Sequence, residues 1–457
     1  MLPSNRIPYR STIMKTYQSR RRFILQSGKL VAASAVAPVA GPLILSAEKG
    51  SPNERVRFGA IGVGGRGTSI ANAARRFADV VGVCDLDTQR IERVIKGFRA
   101  QDTSKGYQEY RKLLDRKDID FVTIGTTDHW HTRVAIHAMQ AGKDVYCEKP
   151  LTLTIDEGKQ ICKVVKETGR VFQVGTQQRS EMGQKFLQAI GIIREGRIGK
   201  VKKVTCNIGG GPKGGPFKTS APPANIDWNT WLGQAPLVDY IKERCHYQFR
   251  WWYEYSGGKM TDWGAHHVDI AQWALDQSGE GQGPLSIDPV IGEHPIPLKD
   301  GMPTKDNHYN TSHNFHIRCG FPDGVEMNIV SRSPEGNGIL FEGSKGKLLV
   351  SRGKLKGDAV NELKEKPLAS DTIKKIYKGK TPTNHMENFF QCVKDRKHPI
   401  SDVFTHHRAM TTCHLANISI RLGRKLTWDP KTEQMVGDEK ANAWQSREQR
   451  KGFETNT

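Results

Sequence analysis

A glycine-rich turn between a short apolar segment and a helix-forming segment is the feature that most restricts the fold of this chain. Residues 55–62 (RVRFGAIG) predict a strand, residues 62–67 (GVGGRG) form a G-x-G-x-x-G motif, and residues 69–74 (SIANAA) predict a helix. In this motif the first glycine permits a tight turn, the second lets the backbone approach a pyrophosphate, and the third allows close packing of helix on strand. The amides at the helix N-terminus then favour phosphate groups. The segment therefore predicts a dinucleotide-binding unit.

An acidic residue after the second predicted strand favours NAD as the dinucleotide. Residues 79–84 (DVVGVC) predict that strand, and Asp85 follows it, 18 residues beyond Gly67. A carboxylate at this place accepts hydrogen bonds from the adenine-ribose hydroxyls and repels a 2′-phosphate. Arg90 lies near enough in sequence for NADP to stay open as the less favoured alternative.

Strand and helix patterns continue to alternate along the chain. Residues 121–125 (FVTIG) and 144–147 (DVYC) predict buried strands, and residues 134–139 (VAIHAM) predict a helix between them. This alternation predicts a doubly wound parallel sheet whose ligands bind at the carboxyl ends of the strands. Thr126, Asp128 and His131 lie at such an end.

Four segments together resemble a known family. They are residues 56–67 (VRFGAIGVGGRG), 125–151 (GTTDHWHTRVAIHAMQAGKDVYCEKPL), 257–273 (GGKMTDWGAHHVDIAQW) and 385–402 (HMENFFQCV…HPISD). From about residue 54 to about residue 430 the chain is similar to the glucose–fructose oxidoreductase/inositol dehydrogenase (Gfo/Idh/MocA) family. It departs from the family's T-P-x-x-x-H motif at one position, where Thr127 replaces the proline. The resemblance implies NAD(P) dependence, carbohydrate-like substrates and a second domain whose open sheet can pair in oligomers.

The resemblance also implies a catalytic group. Lys149 matches the family's catalytic lysine, and Asp262 and His266 match the acid and the histidine of its D-x-x-x-H-x-x-D motif, which Asp269 completes. A lysine at a strand end can donate to a substrate hydroxyl and stabilise developing oxyanion charge. We expect His266 to be the general base near neutral pH, with Asp262 orienting or charging the site, although Lys149 is the alternative proton acceptor. The spacing predicts that Asp262, His266 and Asp269 share one helix face.

The predicted contacts fall into two groups. The predicted cofactor contacts are Gly62, Gly64, Gly65, Arg66, Gly67, Asp85, Thr126, His131, Glu148 and Lys149. The predicted substrate contacts are Arg179, Arg250, Trp252, His267 and Asp269. Residues 247–253 (YQFRWWY) are unusually aromatic, and they form either a sugar-binding surface or part of the core. His267 is either a packing residue or a second substrate contact. No metal is expected, because the 15 histidines lack zinc-motif spacing.

The predicted fold class is α/β, in two domains that follow an export signal. Residues 1–47 contain the run SRRRFIL, which is typical of a twin-arginine signal. An NAD-binding Rossmann domain with a doubly wound parallel sheet is predicted at 52–172. A C-terminal α+β domain with an open, mostly antiparallel sheet is predicted at 173–430. A polar tail at 431–457 is expected to wrap over a neighbouring surface. Because the twin-arginine route carries folded proteins, we expect tightly bound NAD in a periplasmic or cell-surface protein.

Charge and cysteine content restrict the partners. The net charge is +21, and seven of the 69 Lys and Arg residues but none of the 48 acidic residues lie in residues 1–47, which leaves +14 for the remainder. This excess fits a dispersed basic surface or an acidic glycan, and no clustered basic motif predicts nucleic-acid binding. Eight cysteines without a CxxC pair predict buried free thiols. The expected partners are a carbohydrate or polyol, a second copy of the chain through the open sheet, and the twin-arginine export machinery.

Three functions fit these residues. The first is hydride transfer from a secondary hydroxyl of a sugar, amino sugar or cyclitol to NAD. The second is an NAD-dependent glycosidase or lyase, in which transient oxidation acidifies a neighbouring C–H and a substituent is eliminated. The third is a non-catalytic sugar- or nucleotide-binding protein on the same fold. The presence of Lys149, Asp262 and His266 together argues against the third.

Overall fold

The structure is a computed structural model that describes residues 55–98 and 105–455. The predicted export signal, residues 1–47, lies outside the described residues. Within the described ranges, no helix combines the length and the hydropathy of a membrane span.

Six parallel strands form the first sheet, and the predicted doubly wound arrangement is confirmed. The strands are β1 (Arg57–Ile61), β2 (Asp79–Cys84), β3 (Lys105–Tyr107), β4 (Phe121–Ile124), β5 (Asp144–Glu148) and β6 (Phe172–Gly175). Their order across the sheet is β3-β2-β1-β4-β5-β6. Every residue of β4 and β5 is buried, as expected for parallel strands covered on both faces. This order places the topological switch point between β1 and β4, where a ligand binds at the carboxyl ends of the strands.

The helices of this part join successive strands. They are α1 (Gly65–Ala74), α2 (Thr88–Phe98), α3 (Tyr110–Leu114), α4 (Asp128–Gln140) and α5 (Ile155–Thr168). The ends of α5 follow from its sequence. The side chain of Thr154 accepts a hydrogen bond from Glu157 N (3.3 Å), and Gly169 ends the helix with φ of 60°.

Nine further strands form a mixed, mostly antiparallel sheet, also as predicted. The strands between β6 and the C-terminus are β7 (Val201–Asn207), β8 (Ser286–Glu293), β9 (Leu298–Lys299), β10 (Met302–Pro303), β11 (Asn314–Gly320), β12 (Glu326–Val330), β13 (Gly338–Gly343), β14 (Lys347–Val350), β15 (Leu355–Lys356), β16 (Leu426–Asp429) and β17 (Gln434–Met435). The order in the large sheet is β15-β14-β13-β7-β12-β11-β8-β16-β17, and β9 pairs with β10 separately. β7 and β12 are parallel, whereas the other pairs of the large sheet are antiparallel.

The helices of the second part link it to the first. They are α6 (Lys185–Arg194), α7 (Trp228–Leu232), α8 (Gly258–Asp262), α9 (Gly264–Ala274), α10 (Asp358–Asn361), α11 (Thr372–Ile376), α12 (His385–Asp395), α13 (Val403–Leu422) and α14 (Glu439–Asn442). α13 packs on α5, α9 and β8. α12 returns to the first sheet, where the rings of Phe389 and Phe121 lie 5.4 Å apart. The predicted border between residues 172 and 173 falls inside β6.

The segment that carries the predicted catalytic acid and histidine is broken into two helices. α8 ends at Asp262 and α9 begins at Gly264, with Trp263 between them. Trp263 keeps helical backbone angles (φ −97°, ψ −26°), and Asp262 and His266 line one cavity whereas Asp269 does not. Gly264 is needed at the break because a Cβ there would lie 2.7 Å from the Sγ atom of Cys413.

Residues 443–455 of the predicted polar tail pack on their own chain. The side chain of Arg450 donates from Nε to Gly233 O (2.7 Å) and from Nη2 to Asn229 O (2.8 Å). The ring of Phe453 meets that of Trp130 edge-on, with centroids 6.1 Å apart. The tail therefore covers the surface between α4 and α7.

The prediction of buried free thiols is confirmed. All eight cysteines are free, and only Cys162 is not fully buried. Burial raises the pKa of Cys84 and Cys147, which lie on β2 and β5, well above its usual value. These thiols stay protonated and act as small apolar side chains.

Candidate active site

A cavity of about 920 Å³ lies at the carboxyl ends of β1, β2, β4 and β5. The predicted site residues that line it are Gly62, Gly64, Gly65, Arg66, Asp85, Thr126, Glu148, Lys149, Arg250, Asp262 and His266. Candidate cofactor contacts and candidate catalytic groups therefore share one space, of a size typical of ligand sites.

The glycine turn has the geometry that a dinucleotide needs. Gly62 has φ of +74°, and a Cβ there would lie 2.4 Å from Thr126 N. A Cβ on Gly67 would lie 1.7 Å from Gly62 O, so α1 can approach β1 only with glycine at this position. Gly67 packs in this way and does not line the cavity. The first turn of α1 points free backbone amides toward the place of a pyrophosphate.

Asp85 is fixed at the end of β2. Its carboxylate accepts hydrogen bonds from Val63 N (2.8 Å) and Asp87 N (3.0 Å). Burial raises its pKa, although Arg90 and these backbone bonds oppose the effect. Arg90 lies beside Gly64, where a Cβ would come within 2.9 Å of its Nη1 atom, and it pairs with Asp87 (3.4 Å).

Aromatic side chains enclose the end of the cavity next to β2 and β3. Tyr110, Trp130, Trp231 and Phe453 line it. The rings of Tyr110 and Trp130 lie 6.0 Å apart edge-on, and Trp130 Nε1 donates to Trp231 O (3.1 Å). Flat apolar walls of this kind suit a planar ring system.

Lys149 and Asp262 form an ion pair at the opposite end. Lys149 Nζ lies 2.6 Å from Asp262 Oδ1 and donates to Asp262 O (3.1 Å), while Arg250 Nε lies 3.4 Å from the same Oδ1. Burial alone would raise the pKa of Asp262, but Lys149 and Arg250 outweigh burial and lower it to about 2. Asp262 is therefore a permanent carboxylate that orients the lysine ammonium.

His266 offers a neutral imidazole to the same cavity. Burial lowers its pKa well below 6.5, and the charges of Lys149 and Arg352 lower it further. Its Nδ1 atom is buried and has no hydrogen-bond partner among the described residues, so it does not face the cavity. A neutral imidazole that lines a cavity can accept a proton from a bound hydroxyl through its accessible nitrogen.

Glu148 and Arg66 form a second ion pair beside the glycine turn. Arg66 Nε lies 2.9 Å from Glu148 Oε1, which also accepts from Gln177 Nε2 (3.1 Å). Gly175 leaves room for this carboxylate, because a Cβ there would lie 2.6 Å from Glu148 Oε1. The pair holds the first turn of α1 against β5.

His131 lies behind the cavity wall and does not line it. Its Nδ1 atom lies 2.7 Å from Pro150 O and its Nε2 atom 3.3 Å from Thr126 O. Burial lowers its pKa. The predicted cofactor contact is therefore replaced by a positioning role, because the ring ties the loop after β4 to the cis Lys149–Pro150 peptide.

Two predicted substrate contacts form a buried ion pair instead. Arg179 donates from Nε and Nη2 to the two carboxylate oxygens of Asp269 (2.7 and 2.6 Å), and its Nη1 donates to Ile400 O (2.8 Å). Each side chain of the pair is only 1% exposed. Both residues lie in the core because each charge is neutralised there by the other.

The other two predicted substrate contacts away from the cavity are His267 and Trp252. His267 Nε2 donates to Asn337 Oδ1 (3.0 Å), and Trp252 Nε1 donates to Glu243 O (2.8 Å). Both residues are 0% exposed. Trp252 packs in the aromatic core around Tyr309, so the packing interpretation holds for both positions.

Several cavity-lining residues were absent from the predicted contacts. Among them, Asp128, Trp263 and Arg352 line the same space as His266. Burial raises the pKa of Asp128 to about 7, although Arg250 and the hydroxyl of Ser256 (2.5 Å) oppose the rise. The place of Asp128 shortly after β4 could have marked it as a site residue in the sequence. Nothing in the sequence near residue 352 marks Arg352 in this way.

Within residues 55–98 and 105–455, no group of three or more His, Cys, Asp or Glu residues could hold a metal ion.

The cavity combines a glycine turn, an acidic residue at the position that binds a ribose, and a lysine–aspartate pair. Together these features define a dinucleotide-binding protein of the Rossmann class. The NAD-binding Rossmann fold of the Gfo/Idh/MocA oxidoreductase family matches residues 56–176, and the C-terminal alpha/beta domain of that family matches residues 216–455. The chain belongs to this family, and its cofactor is NAD.

Relatives with assigned names fall into two kinds. A glycosyl hydrolase family 109 protein of Shewanella pealeana is 32% identical over 172 residues, which cover 36% of this chain and 37% of that protein. An inositol 2-dehydrogenase of Salmonella typhimurium is 30% identical over 150 residues, which cover 32% of this chain and 43% of that protein. The chain spans less than half of the length of these relatives.

A solved structure shares the fold. Levoglucosan dehydrogenase, in complex with NADH and levoglucosan, has a TM-score of 0.57 and 17% sequence identity. The likeness covers 81% of this chain and 99% of that chain. At this identity the likeness shows the fold alone.

Proposed function

We propose that this protein oxidises a secondary hydroxyl of a sugar, amino sugar or cyclitol by hydride transfer to tightly bound NAD. One observation carries the proposal: Lys149, Asp262 and His266 line the same cavity as the glycine turn. Membership of the oxidoreductase family and the relative named inositol 2-dehydrogenase support the substrate class.

The residues of the chain divide the work of this reaction. Bound NAD supplies the hydride acceptor, held by the amides of α1 at its pyrophosphate and by Asp85 at its ribose. Lys149, oriented by Asp262, donates a hydrogen bond to the substrate oxygen. His266 takes the hydroxyl proton, because its imidazole lines the cavity and is neutral.

The packing of residues 450–455 supports slow exchange of the cofactor. Gly452 and Phe453 line the cavity at the end next to Asp85, and Arg450 fixes the segment to the backbone near α7. A nucleotide at that end would have to displace this segment in order to leave.

The first test is made on the purified mature protein. We denature it to identify any released nucleotide, and we follow the NADH absorbance band of the native protein while sugars, polyols and glycosides are added. We expect denaturation to release NAD, and we expect a substrate to reduce the bound NAD of the native protein stoichiometrically. Protein without nucleotide, and without affinity for added NAD, would contradict the proposal.

The Lys149→Met variant tests the assigned lysine. It should retain NAD and lose turnover by at least about a hundredfold, since it removes a donor to developing charge. Lys159→Met, at a lysine of α5 that pairs with Asp156 (2.9 Å), is the matched control and should behave like the wild type. Full activity in Lys149→Met would remove Lys149 from the mechanism.

A second candidate function is an NAD-dependent glycosidase or lyase that works by transient oxidation and elimination. Elimination needs an acid for the leaving group, and Asp128, a buried carboxyl with a pKa raised to about 7, lines the cavity. The relative named as a glycosyl hydrolase family 109 protein supports this candidate. Product analysis separates the two: a released aglycone without net NADH indicates elimination, and an accumulated keto sugar indicates oxidation.

We also propose export by the twin-arginine route and assembly through the open sheet. Cell fractionation tests export: the Arg20→Lys, Arg21→Lys double variant should stay in the cytoplasm. Light scattering of the purified protein tests assembly, and a monomer at micromolar concentration would contradict it.

A further inference from the structure

Arg352 stands in a short turn that directs it into the cavity. The turn between β14 and β15 is closed by Ser351 N donating to Lys354 O (2.8 Å) and Lys354 N donating to Ser351 Oγ (3.1 Å). Arg352 lines the cavity together with Trp263 and His266. Its guanidinium carbon lies 4.6 Å from the centre of the Trp263 ring. The indole therefore restricts where the guanidinium can lie.

A chain of hydrogen bonds that leads from the exposed residue Arg352 into the core fixes the guanidinium further. Arg352 Nε donates to Gln178 Oε1 (3.0 Å), Gln178 Nε2 donates to His267 Nδ1 (3.3 Å), and His267 Nε2 donates to Asn337 Oδ1 (3.0 Å). Gln178 is 1% exposed and His267 is 0% exposed. This chain occupies Nε and leaves the two terminal nitrogens of Arg352 for a ligand.

Arg352 differs from three neighbouring cations of the cavity wall, each of which pairs with a carboxylate. In the cavity wall Arg66 pairs with Glu148, and Lys149 and Arg250 pair with Asp262. Among the described residues, no carboxylate lies within ion-pair distance of Arg352. Burial and the nearby Arg66 charge lower the pKa of Arg352, and the more distant Asp262 carboxylate opposes them only in part. The guanidinium therefore has no direct carboxylate partner in the cavity wall among the described residues.

We propose that Arg352 binds the carboxylate of an acidic sugar and so makes a uronic acid the preferred substrate class. This inference rests on the proposed function and specifies its substrate. The two terminal nitrogens of a guanidinium match the two oxygens of a carboxylate, and an ordered guanidinium loses little entropy on binding. A neutral sugar offers no charge to compensate Arg352.

The pyrophosphate of NAD is the competing anion for Arg352. Arg66 belongs to the glycine turn and is near enough to Arg352 to lower its pKa. Two neighbouring positive charges would suit a phosphate. Against this, Arg352 lies beside His266 and Trp263, at the catalytic end of the cavity, and Arg66 is already paired. Retention of NAD by an Arg352 variant separates the two anions.

The test compares acidic sugars with their neutral counterparts. Glucuronate and glucose, and galacturonate and galactose, are given to the holoprotein, and both NADH absorbance and binding by calorimetry are measured. Arg352→Gln should reduce the preference for the acid over the neutral sugar by about tenfold or more, since it removes a charge-assisted hydrogen-bonding group. Lys354→Gln removes the same charge from the same turn outside the cavity, and it should leave the preference unchanged.

Each outcome decides the inference. Preference for the uronates that is lost in Arg352→Gln and kept in Lys354→Gln supports it. Equal use of neutral sugars by the wild type, equal effects of both variants, or loss of NAD from Arg352→Gln would overturn it. If no sugar reduces the bound NAD, the proposed function fails, whereas calorimetric binding of a uronate through Arg352 still decides this inference separately.

Discussion

At the scale of single residues, the proposed mechanism depends on the protonation state of His266. Burial, with Lys149 and Arg352, lowers its pKa well below 6.5, so the ring is neutral at neutral pH and gains a proton only as pH falls through that lowered value. We expect kcat/KM to hold from neutral pH to below 6.5 and to fall only in more acidic solution. Initial rates of NADH formation against pH measure this.

The alternative proton acceptor differs in the pH range over which the rate changes. If Lys149 took the proton, the neutral amine would be required, and the plateau that His266 predicts from neutral pH to below 6.5 would be absent. An inflection near pH 7 that disappears in Asp128→Asn belongs to that carboxyl, whose pKa is about 7. The profile therefore decides between His266 and Lys149, which the sequence left undecided.

We expect the buried ion pair of Arg179 and Asp269 to stabilise the folded protein. Asp269→Asn leaves a guanidinium buried without its partner, so we expect a loss of about 3–5 kcal/mol in the free energy of unfolding. Asp276→Asn is the control, because the Asp276 side chain is 76% exposed in its pair with Arg194 and should contribute about 1 kcal/mol or less. Urea unfolding measures both, and equal effects would mean that the buried pair is not needed for folding.

At the scale of secondary-structure elements, the C-terminal segment forms part of the cavity wall. Phe453 lines the cavity next to Trp130, whereas Trp444, another aromatic residue of the tail, packs on Arg421 outside it. We expect Phe453→Ala to release NAD at least about tenfold faster than the wild type and Trp444→Ala to retain it. Dialysis followed by quantification of bound nucleotide measures the release. Equal retention in both variants would show that the segment does not hold the cofactor.

The two short helices α8 and α9 bring two predicted site residues to one cavity. Asp262 at the end of α8 pairs with Lys149, and His266 of α9 lines the same space. The spacing of the motif predicted one face. The packing of α9 on α13 produced two directions, with Asp269 turned to Arg179 in the core.

At the scale of the whole molecule, buried histidines make the fold sensitive to acid. Burial lowers the pKa of His129 and His414 to about 3 and that of His267 and His385 to about 4. Between these values and 6.5 the unfolded chain binds protons that the folded chain does not, so stability falls as pH falls. Asp128 has the opposite sign, because its raised pKa makes the folded state bind the extra proton.

Four such histidines outweigh one carboxyl. We expect the free energy of unfolding to be lower at pH 5 than at pH 7 by a few kcal/mol, on the order of 1.4 kcal/mol per pH unit and histidine. Urea unfolding at the two pH values measures the change, and His398→Gln, at an exposed histidine, should leave it unaltered. A free energy independent of pH in this range would contradict the buried, neutral state of these rings.

The sequence by itself determined the parts of the molecule that depend on neighbours along the chain. The glycine turn, Asp85 after β2 and Lys149 after β5 were predictable, because local backbone geometry and the ends of parallel strands place them. The same holds for β11, β12, β13 and β14 of the second sheet, which the glycine turns between them mark in sequence.

Only the tertiary structure decided which charged and aromatic side chains reach the cavity. Arg179 and Asp269 neutralise each other in the core, Trp252 fills an aromatic cluster, and His267 supports Gln178, since burial demands a partner for each polar group. Arg352 and Phe453 reach the site from sequence positions far from any motif. Which residues meet across such distances depends on how the second sheet and the C-terminal segment pack against the first sheet, and no local pattern encodes that packing.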